Sequence, residues 1–408
     1  MDTINNILMD FDEKEDILAR SIKIQKISKT NPNVINATLG TLYNEDGTIS
    51  VLNSVKKVRK SLRDEDIFPY SSTLGPNDFS SLLVDFLFKD HIKEMLDKKS
   101  MEVIPTPGAT GALNMALFMS LNAKETVILP KICWNVYFTM CKTHDLNYVT
   151  YDYIKDNHFD LDGFIKCVDE ISKKQKHIVT ILNDPCNNPT GYSLTKEEFQ
   201  KLIDYINSRK DLKFTLIYDV AYYEFSLDNS REKFLMLKEL KDNALTIITW
   251  SASKAFTMYG LRLGALIFID SFSMKTQKML NICKIAARAN WSCVGSEALN
   301  IITSILKDKE TLIEYEKEIM MLNEMLQKRV KLFMRQAKEV NLDVIPYRGG
   351  FFIAINSDNP KLLSDELEKE NVFVIAMNDV IRIAICGITY DQCDGLPLKI
   401  KRCIERIK

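Results

Sequence analysis

Five short, almost unbroken apolar runs at residues 125–129, 177–182, 213–218, 244–250 and 265–269 constrain the fold of this chain more than any other feature. Each is too short for an ordinary helix, and none alternates apolar with polar as a strand with one wet face does. Such runs are strands buried on both faces, the mark of an α/β layer. Between them lie stretches such as 196–208, whose apolar residues recur at helical spacing and supply the crossovers that parallel strands need.

A different pattern begins near Lys307. Leu312, Tyr315, Ile319, Leu322, Leu326, Val330 and Phe333 recur in steps of three and four, which predicts one long helix with a single buried stripe. Strand-like runs follow at 351–355, 372–375 and 380–386, giving an α+β C-terminal domain. The first ~45 residues carry no dominant sheet signal and are expected to pack with that domain or with a partner. The expected division is residues 1–48 as an N-terminal arm and part of the small domain, 49–306 as the large domain, and 307–408 as the small domain.

Composition excludes several classes of function. A net charge of −1 over 408 residues gives no broad pull toward nucleic acid or an anionic membrane. No run of 18 apolar residues exists to span a bilayer. The N-terminus, from Met1-Asp2-Thr3-Ile4, lacks the basic and apolar regions of a secretion signal, so a cytoplasmic location is expected. The nine cysteines are scattered and never spaced C-x-x-C, which reads as reduced thiols. His91, His144, His158 and His177 form no pair at ligand spacing, so no metal centre is expected.

The most informative stretch runs from Ser251 through Ser253 and Lys254 to Arg262 and Gly264. It follows the run ending at Trp250, so Lys254 falls in a loop at the C-terminal end of a strand, where open α/β sheets bind ligands. A lysine flanked by two hydroxyls and an arginine suits a cofactor aldehyde that carries a phosphate. The amine forms the imine, and Ser251, Ser253 and Arg262 take the dianion. Read without its neighbours, the stretch is also compatible with a solvated polar loop.

Four further features join it. Asp219 ends the run 213–218, where a buried carboxylate needs a cation such as a protonated pyridine nitrogen, although it is also suited to cap the next helix. Tyr222, three residues on, and the turn Asn187-Asn188-Pro189-Thr190-Gly191 offer donors for a phenolate oxygen. Gly108-Ala109-Thr110 opens a helical run to Leu121, either as a phosphate site at a helix N-terminus or as a simple turn. Arg382 interrupts the apolar strand 380–386 and demands an anion, either a substrate carboxylate or a structural ion-pair partner.

In this order and at these distances, the motifs resemble those of fold-type I pyridoxal-phosphate (PLP) aminotransferases, more narrowly the aspartate/aromatic, class I branch. The likeness covers nearly the whole chain, from Gly40 through Tyr70–Gly75 to Thr389. It implies a large domain with a mostly parallel seven-stranded sheet beside a smaller α+β domain, and a homodimer with shared sites acting on amino acids and 2-oxo acids.

The resemblance implies Lys254 as Schiff-base lysine and proton carrier, Asp219 at the ring nitrogen, and Asn188 and Tyr222 at the phenolate oxygen. It implies a phosphate cup of Gly108, Ala109, Thr110, Ser251, Ser253 and Arg262, with Trp134 stacked on the ring and Tyr70 reaching the partner's cofactor phosphate. Arg382 is implied at the substrate α-carboxylate, Gly40 in the segment that folds over substrate, and Arg288 at a distal carboxylate across the dimer interface.

Two departures stand out. Tyr137 and Asn183 occupy positions where the aspartate enzymes usually carry histidines behind the ring-nitrogen aspartate. Trp291-Ser-Cys-Val replaces the family's Tyr-Ser-Asn-Pro after Arg288, altering the side-chain pocket. The expected reaction is ping-pong transamination, with glutamate and 2-oxoglutarate as one pair and aspartate or an aromatic amino acid as the other. A lyase or decarboxylase on the same scaffold is one alternative. A regulatory protein that kept only the fold is another, although it would be expected to have lost Lys254 or Asp219.

Overall fold

The computed structural model describes residues 22, 24, 26–28, 30–227 and 230–407. Its centre is a seven-stranded sheet of β1 (Ser100–Thr106), β2 (Thr126–Pro130), β3 (Asn147–Tyr151), β4 (His177–Asn183), β5 (Lys213–Asp219), β6 (Ala244–Ser251) and β7 (Gly264–Asp270). The spatial order is β1-β7-β6-β5-β4-β2-β3, all parallel except β7, which is reversed against both its neighbours. The expected architecture is therefore present.

The pleat explains the unbroken apolar runs. Ile178, Leu216, Ile248 and Ile267 join one core layer, and their neighbours Val179, Ile217, Ile247 and Leu266 join the other. Helix α1 (Gly108–Ser120) lies on the second layer against β5, β6 and β7. Helix α2 (Lys196–Ser208) lies on the first, burying Phe199, Leu202, Ile203 and Ile206. It begins in a capping box: Thr195 accepts from the Glu198 N–H while Glu198 accepts from the Thr195 N–H. Helix α3 (Ser273–Asn290) covers β1 and β7.

Strands β1 and β3 carry no run of the kind that marks the other five, because they are the two edges of the sheet. Strand β3 is mostly exposed, and β1 is buried only toward its C-terminal end. Edge strands need no continuous apolar run and tolerate charge and proline, as in Ser-Met-Glu-Val-Ile-Pro-Thr.

The long helix α4 spans Lys309–Glu339, capped by Asp308, whose carboxylate accepts from the N–H and hydroxyl of Thr311. Its predicted stripe is buried at Tyr315, Ile319, Leu326, Val330 and Phe333 and half-buried at Leu312 and Leu322. Beyond it, β8 (Phe352–Asn356), β9 (Ile375–Met377) and β10 (Val380–Ala384) form an antiparallel sheet in the order β8-β10-β9. The run 372–375 is divided. Val372–Phe373 pairs in parallel with Ile35–Asn36, and the chain then turns to enter β9. The run 380–386 stops at Ala384, where Ile385–Gly387 winds into a short 3₁₀ turn.

The N-terminal segment is tied to this region. Arg329 of α4, fully buried, donates to the Tyr43 and Cys386 carbonyls and pairs with Glu45 at 2.8 Å. All nine cysteines are free and eight are buried. Among the described residues no helix is long and apolar enough to cross a membrane.

Candidate active site

The parallel strands β4, β5 and β6 end in register. Asn183 pairs with Asp219, Asp219 with Thr249, and Ser251 with Gly264 at the start of reversed β7, which also faces Thr106 at the end of β1. One rim of the sheet therefore gathers the residues that precede four of the five predicted motifs, all but that of Arg382. Ligands bind on this rim in open α/β sheets.

At one end of the rim, β1 runs into α1 and β6 into the short helix Ala252–Ala255. Ser251 caps that helix by accepting from the Ser253 N–H at 3.1 Å. Arg262 donates to the Ser253 hydroxyl at 3.1 Å and to the Tyr259 carbonyl at 2.8 Å. Gly108 sits at φ +72°, and a Cβ there would lie 2.6 Å from Nη2 of Arg262. A Cβ on Gly264 would lie 2.7 Å from the Ala109 nitrogen, so this backbone and the guanidinium are pressed together. The start of α1, two serines and an arginine thus form one donor cluster, whose chemistry fits a phosphate dianion.

Lys254 stands beside this cluster, half-buried. Its amine donates to the Gly40 carbonyl at 2.5 Å and lies 4.8 Å from the ring centre of Tyr259, 5.7 Å from Phe351 and 5.8 Å from Tyr222. Burial lowers the ammonium to about 8, helped by the positive charges of Arg262 and Arg382. No carboxylate pairs with it among the described residues.

Asp219 is 4% exposed. One carboxylate oxygen accepts from the Tyr137 hydroxyl at 2.5 Å, the other from the Ala221 N–H at 3.1 Å. Burial raises the carboxyl to about 6, and these two donors work against that rise. Neutral donors and, among the described residues, no cation beside a buried carboxylate fit a protonated ring nitrogen as the missing partner. The Asp219–Ala221 bond is a local turn at the strand end; the short 3₁₀ helix that follows, Tyr223–Phe225, starts from Tyr222 with no side-chain cap, so Asp219 does not cap it. Trp134, half-buried, lies edge-on to Tyr137 with ring centres 5.6 Å apart.

Arg382, in the middle strand of the small sheet, is 5% exposed. It donates to the Asn188 side chain at 3.1 Å and to the Thr38 carbonyl, and its guanidinium covers the Phe352 ring at 4.5 Å. Its Nε is buried with no partner, and no carboxylate pairs with it among the described residues. Burial lowers the guanidinium to about 10. Tyr222, near Asn188, has its phenol pushed up by burial, against the lowering influence of Arg382 and Asn188. Asn183 ties the two sides together. It donates to the Asp219 carbonyl at 2.9 Å and accepts from the Asn188 N–H at 2.7 Å.

Of the expected residues, Lys254, Gly40, Asp219, Tyr222, Asn188, Ser251, Ser253, Arg262, Gly108–Thr110, Trp134 and Arg382 lie on or against this rim. Two lie apart from this network of contacts. Tyr70 is 93% exposed. Arg288 is exposed at the end of α3, donating to the Ser292 hydroxyl at 2.6 Å. Tyr259, Phe352 and Thr38 had no expected role. Tyr259 puts its ring against Lys254 and accepts the Leu42 N–H at 3.0 Å, Phe352 lies under Arg382, and Thr38 receives its Nη2. The position of Tyr259 between Lys254 and Arg262 was the one available signal.

A family model described as aminotransferase class I and II matches residues 32–397. The chain is 26% identical over 376 residues to the aspartate aminotransferase of Escherichia coli (strain K12), covering 88% of this chain and 91% of that protein. It is 23% identical over 369 residues to the aromatic-amino-acid aminotransferase of the same strain, covering 87% and 89%. Among solved structures, an aminotransferase from Anaerococcus prevotii DSM 20548 matches at TM-score 0.93 and 31% identity, covering 99% of this chain and 100% of that one. An aromatic-amino-acid aminotransferase from Burkholderia pseudomallei, covalently bound to pyridoxal phosphate, shares the fold at TM-score 0.81 and 18% identity, covering 98% and 100%.

Proposed function

We infer that this chain, which belongs to the class I and II aminotransferases and so moves amino groups between amino acids and 2-oxo acids with pyridoxal 5′-phosphate, does so with the residues gathered around Lys254, Asp219 and Arg382. The observation that carries the assignment is the unmatched charge of Arg382. A buried guanidinium with an unpartnered Nε and no carboxylate beside it, among the described residues, is a receptor for a carboxylate brought from solution.

When bound, the cofactor supplies an aldehyde that exchanges between amines and a protonated ring that draws electrons from the breaking Cα bond. Gly108–Thr110, Ser251, Ser253 and Arg262 hold the phosphate, so the group stays in place when Lys254 lets go. With the cofactor bound, Asp219 would keep a proton on the ring nitrogen, Asn188 and Tyr222 would donate to the ring oxygen, and Trp134 would pack on the ring. Arg382 fixes the α-carboxylate, which orients Cα toward the lysine. Lys254, its amine already lowered to about 8, gives up its proton close to neutral pH. It would therefore serve first as the point of attachment and then as the base that takes the Cα proton and returns it to the carbon of the cofactor's former aldehyde. Borohydride reduction of the holoenzyme followed by peptide mapping is expected to label Lys254; a label on another lysine removes the assignment.

Substrate and assembly belong to the same reading. Arg288 is expected to reach a neighbouring subunit's site and grip the distal carboxylate of glutamate or aspartate. Its exposure, and that of Tyr70 and Phe68 at 93% and 78%, supports a homodimer in which a second copy covers this face. Arg288→Ala is expected to lower kcat/KM for glutamate by about 2–5 kcal/mol and spare phenylalanine. Equal losses remove Arg288 from the site. Mixing Lys254→Ala with Arg288→Ala subunits is expected to restore glutamate turnover, because one site of each hybrid is whole; separate sites give no recovery. The division at residues 48 and 306 is supported by the large sheet lying within the middle segment and the three-stranded sheet within the last. A cytoplasmic location is supported by nine unpaired cysteines.

A further inference from the structure

Tyr137 is fully buried, on the first turn of the helix Val136–Thr143, and aims its hydroxyl at the Asp219 carboxylate from 2.5 Å. The bond satisfies a buried hydroxyl and the second oxygen of a buried carboxylate at once. The helix continues without it, and Asp219 already holds the Ala221 N–H through its other oxygen. We propose that Tyr137 is a positioning residue of the reaction, its phenol clamping the Asp219 carboxylate in the ionised form that faces the cofactor's ring nitrogen. This rests on the assignment of Asp219 given above.

The argument is one of proton competition. A proton between a carboxylate and a ring nitrogen settles on whichever holds it more tightly, and a donor on the carboxylate's far oxygen weakens the carboxylate's hold. The ring nitrogen therefore keeps the proton, and with it the pull on electrons that transamination needs. The phenol suits this task because burial and the neighbouring carboxylate push its own ionisation well above the usual range. The other ionisable groups that bear on the phenol are Cys133 and Tyr222, both pushed up by burial and both neutral. A histidine in the same place would titrate near neutrality, whereas the phenol does not. Asn183, the second departure, acts on the backbone instead, through the Asp219 carbonyl.

The test loads ¹⁵N-labelled pyridoxal phosphate into wild type, Tyr137→Phe, Tyr137→His and Asp219→Asn, and follows the ring-nitrogen resonance and the cofactor absorbance against pH. The thermal midpoint and cofactor affinity are recorded alongside. In wild type the nitrogen is expected to stay protonated through neutral pH. Tyr137→Phe should lower its proton affinity and the single-turnover rate with glutamate by about tenfold, the size of losing one hydrogen bond to a buried charge, with the midpoint near that of wild type. Tyr137→His should recover the resonance and add an inflection in the imidazole range. If Asp219→Asn shifts the resonance and Tyr137→Phe does not, the role of Tyr137 is overturned and that of Asp219 stands. If neither shifts it, both assignments fall. Loss of folded protein in Tyr137→Phe, with the surviving fraction unshifted, also overturns the proposal.

Discussion

Two sets of buried charges lie within this molecule and are treated in opposite ways. Lys233 and Asp184 are 3% and 0% exposed, and each meets its opposite at 2.7 Å. Asp184 also accepts from the Tyr218 hydroxyl and the Leu194 N–H, each at 2.7 Å, and Lys233 donates to the Leu194 carbonyl at 3.0 Å. Arg382 and Asp219, both buried, and Lys254, half-buried, are charges of the same kinds, yet none has an opposite charge beside it among the described residues. The first set is complete as folded and serves the loop that leads to Asn188. On the function proposed above, the second set is complete only when something from outside supplies a carboxylate, a phosphate-bearing aldehyde or a ring proton. The difference teaches that burial alone does not mark function; burial with an unfilled partner does.

Substitutions that cross between the two sets break or sharpen this contrast. Lys254→Ala is expected to reduce single-turnover transamination on the order of 10⁴-fold or more, through loss of nucleophile and base. Its thermal midpoint should not fall, since an unpaired ammonium leaves a buried place. A variant that unfolds would put Lys254 with the structural set. Lys233→Met works the other way. It strands Asp184 and should remove about 3–5 kcal/mol of stability in urea titration. Stability within experimental error of wild type would erase the contrast.

Arg382→Leu is expected to lower kcat/KM by about 2–4 kcal/mol for every amino acid tested, since the α-carboxylate is common to all. Stability should change far less than in Lys233→Met. Selective loss for one substrate would move Arg382 to side-chain recognition.

The smallest effect concerns Asp219→Asn without cofactor. The folded carboxyl is raised to about 6 against an ordinary 3.8, so between these values the native state holds the extra proton. Stability therefore falls as pH rises through that window, and the whole penalty is present above it. Asparagine carries no such penalty, so the variant should be more stable than wild-type apoprotein by up to about 3 kcal/mol at pH 7.5. That advantage should fade toward pH 4 and disappear once cofactor is added. An advantage independent of pH would mean that packing, not charge, separates the two.

Much of the frame was legible in the sequence because burial on both faces leaves an unmistakable run, and the five central strands have it. The edge strands β1 and β3 do not, since a rim in partial contact with water imposes no such composition. In the site, residues fixed by local chemistry were legible: Lys254 beside Ser253 and Arg262, Asp219 at its strand end, Asn188 on its turn. Tyr259, Phe352 and Thr38 were not, because ring faces and backbone carbonyls leave little chemical trace. The bond from Arg382 to Thr38 joins positions 344 residues apart, beyond any local pattern. The hydroxyl of Tyr137 belongs with these. Its position was recognised as a departure, but only the fold put the oxygen on the carboxylate.

The fastening of the N-terminal segment to the far end of the chain bears on how the protein is made. Thr38, Tyr43 and Glu45 meet Arg382, Cys386 and Tyr390, and the parallel pair Ile35–Asn36 forms on Val372–Phe373. At a synthesis rate of roughly 5–20 residues per second, the early segment waits on the order of 20–70 s for those partners to exist. The central sheet can assemble in that interval, but the substrate-carboxylate site cannot. Nascent chains stalled before residue 382 are therefore expected to hold a cofactor cup with no substrate grip, and with an unpaired strand in search of an edge.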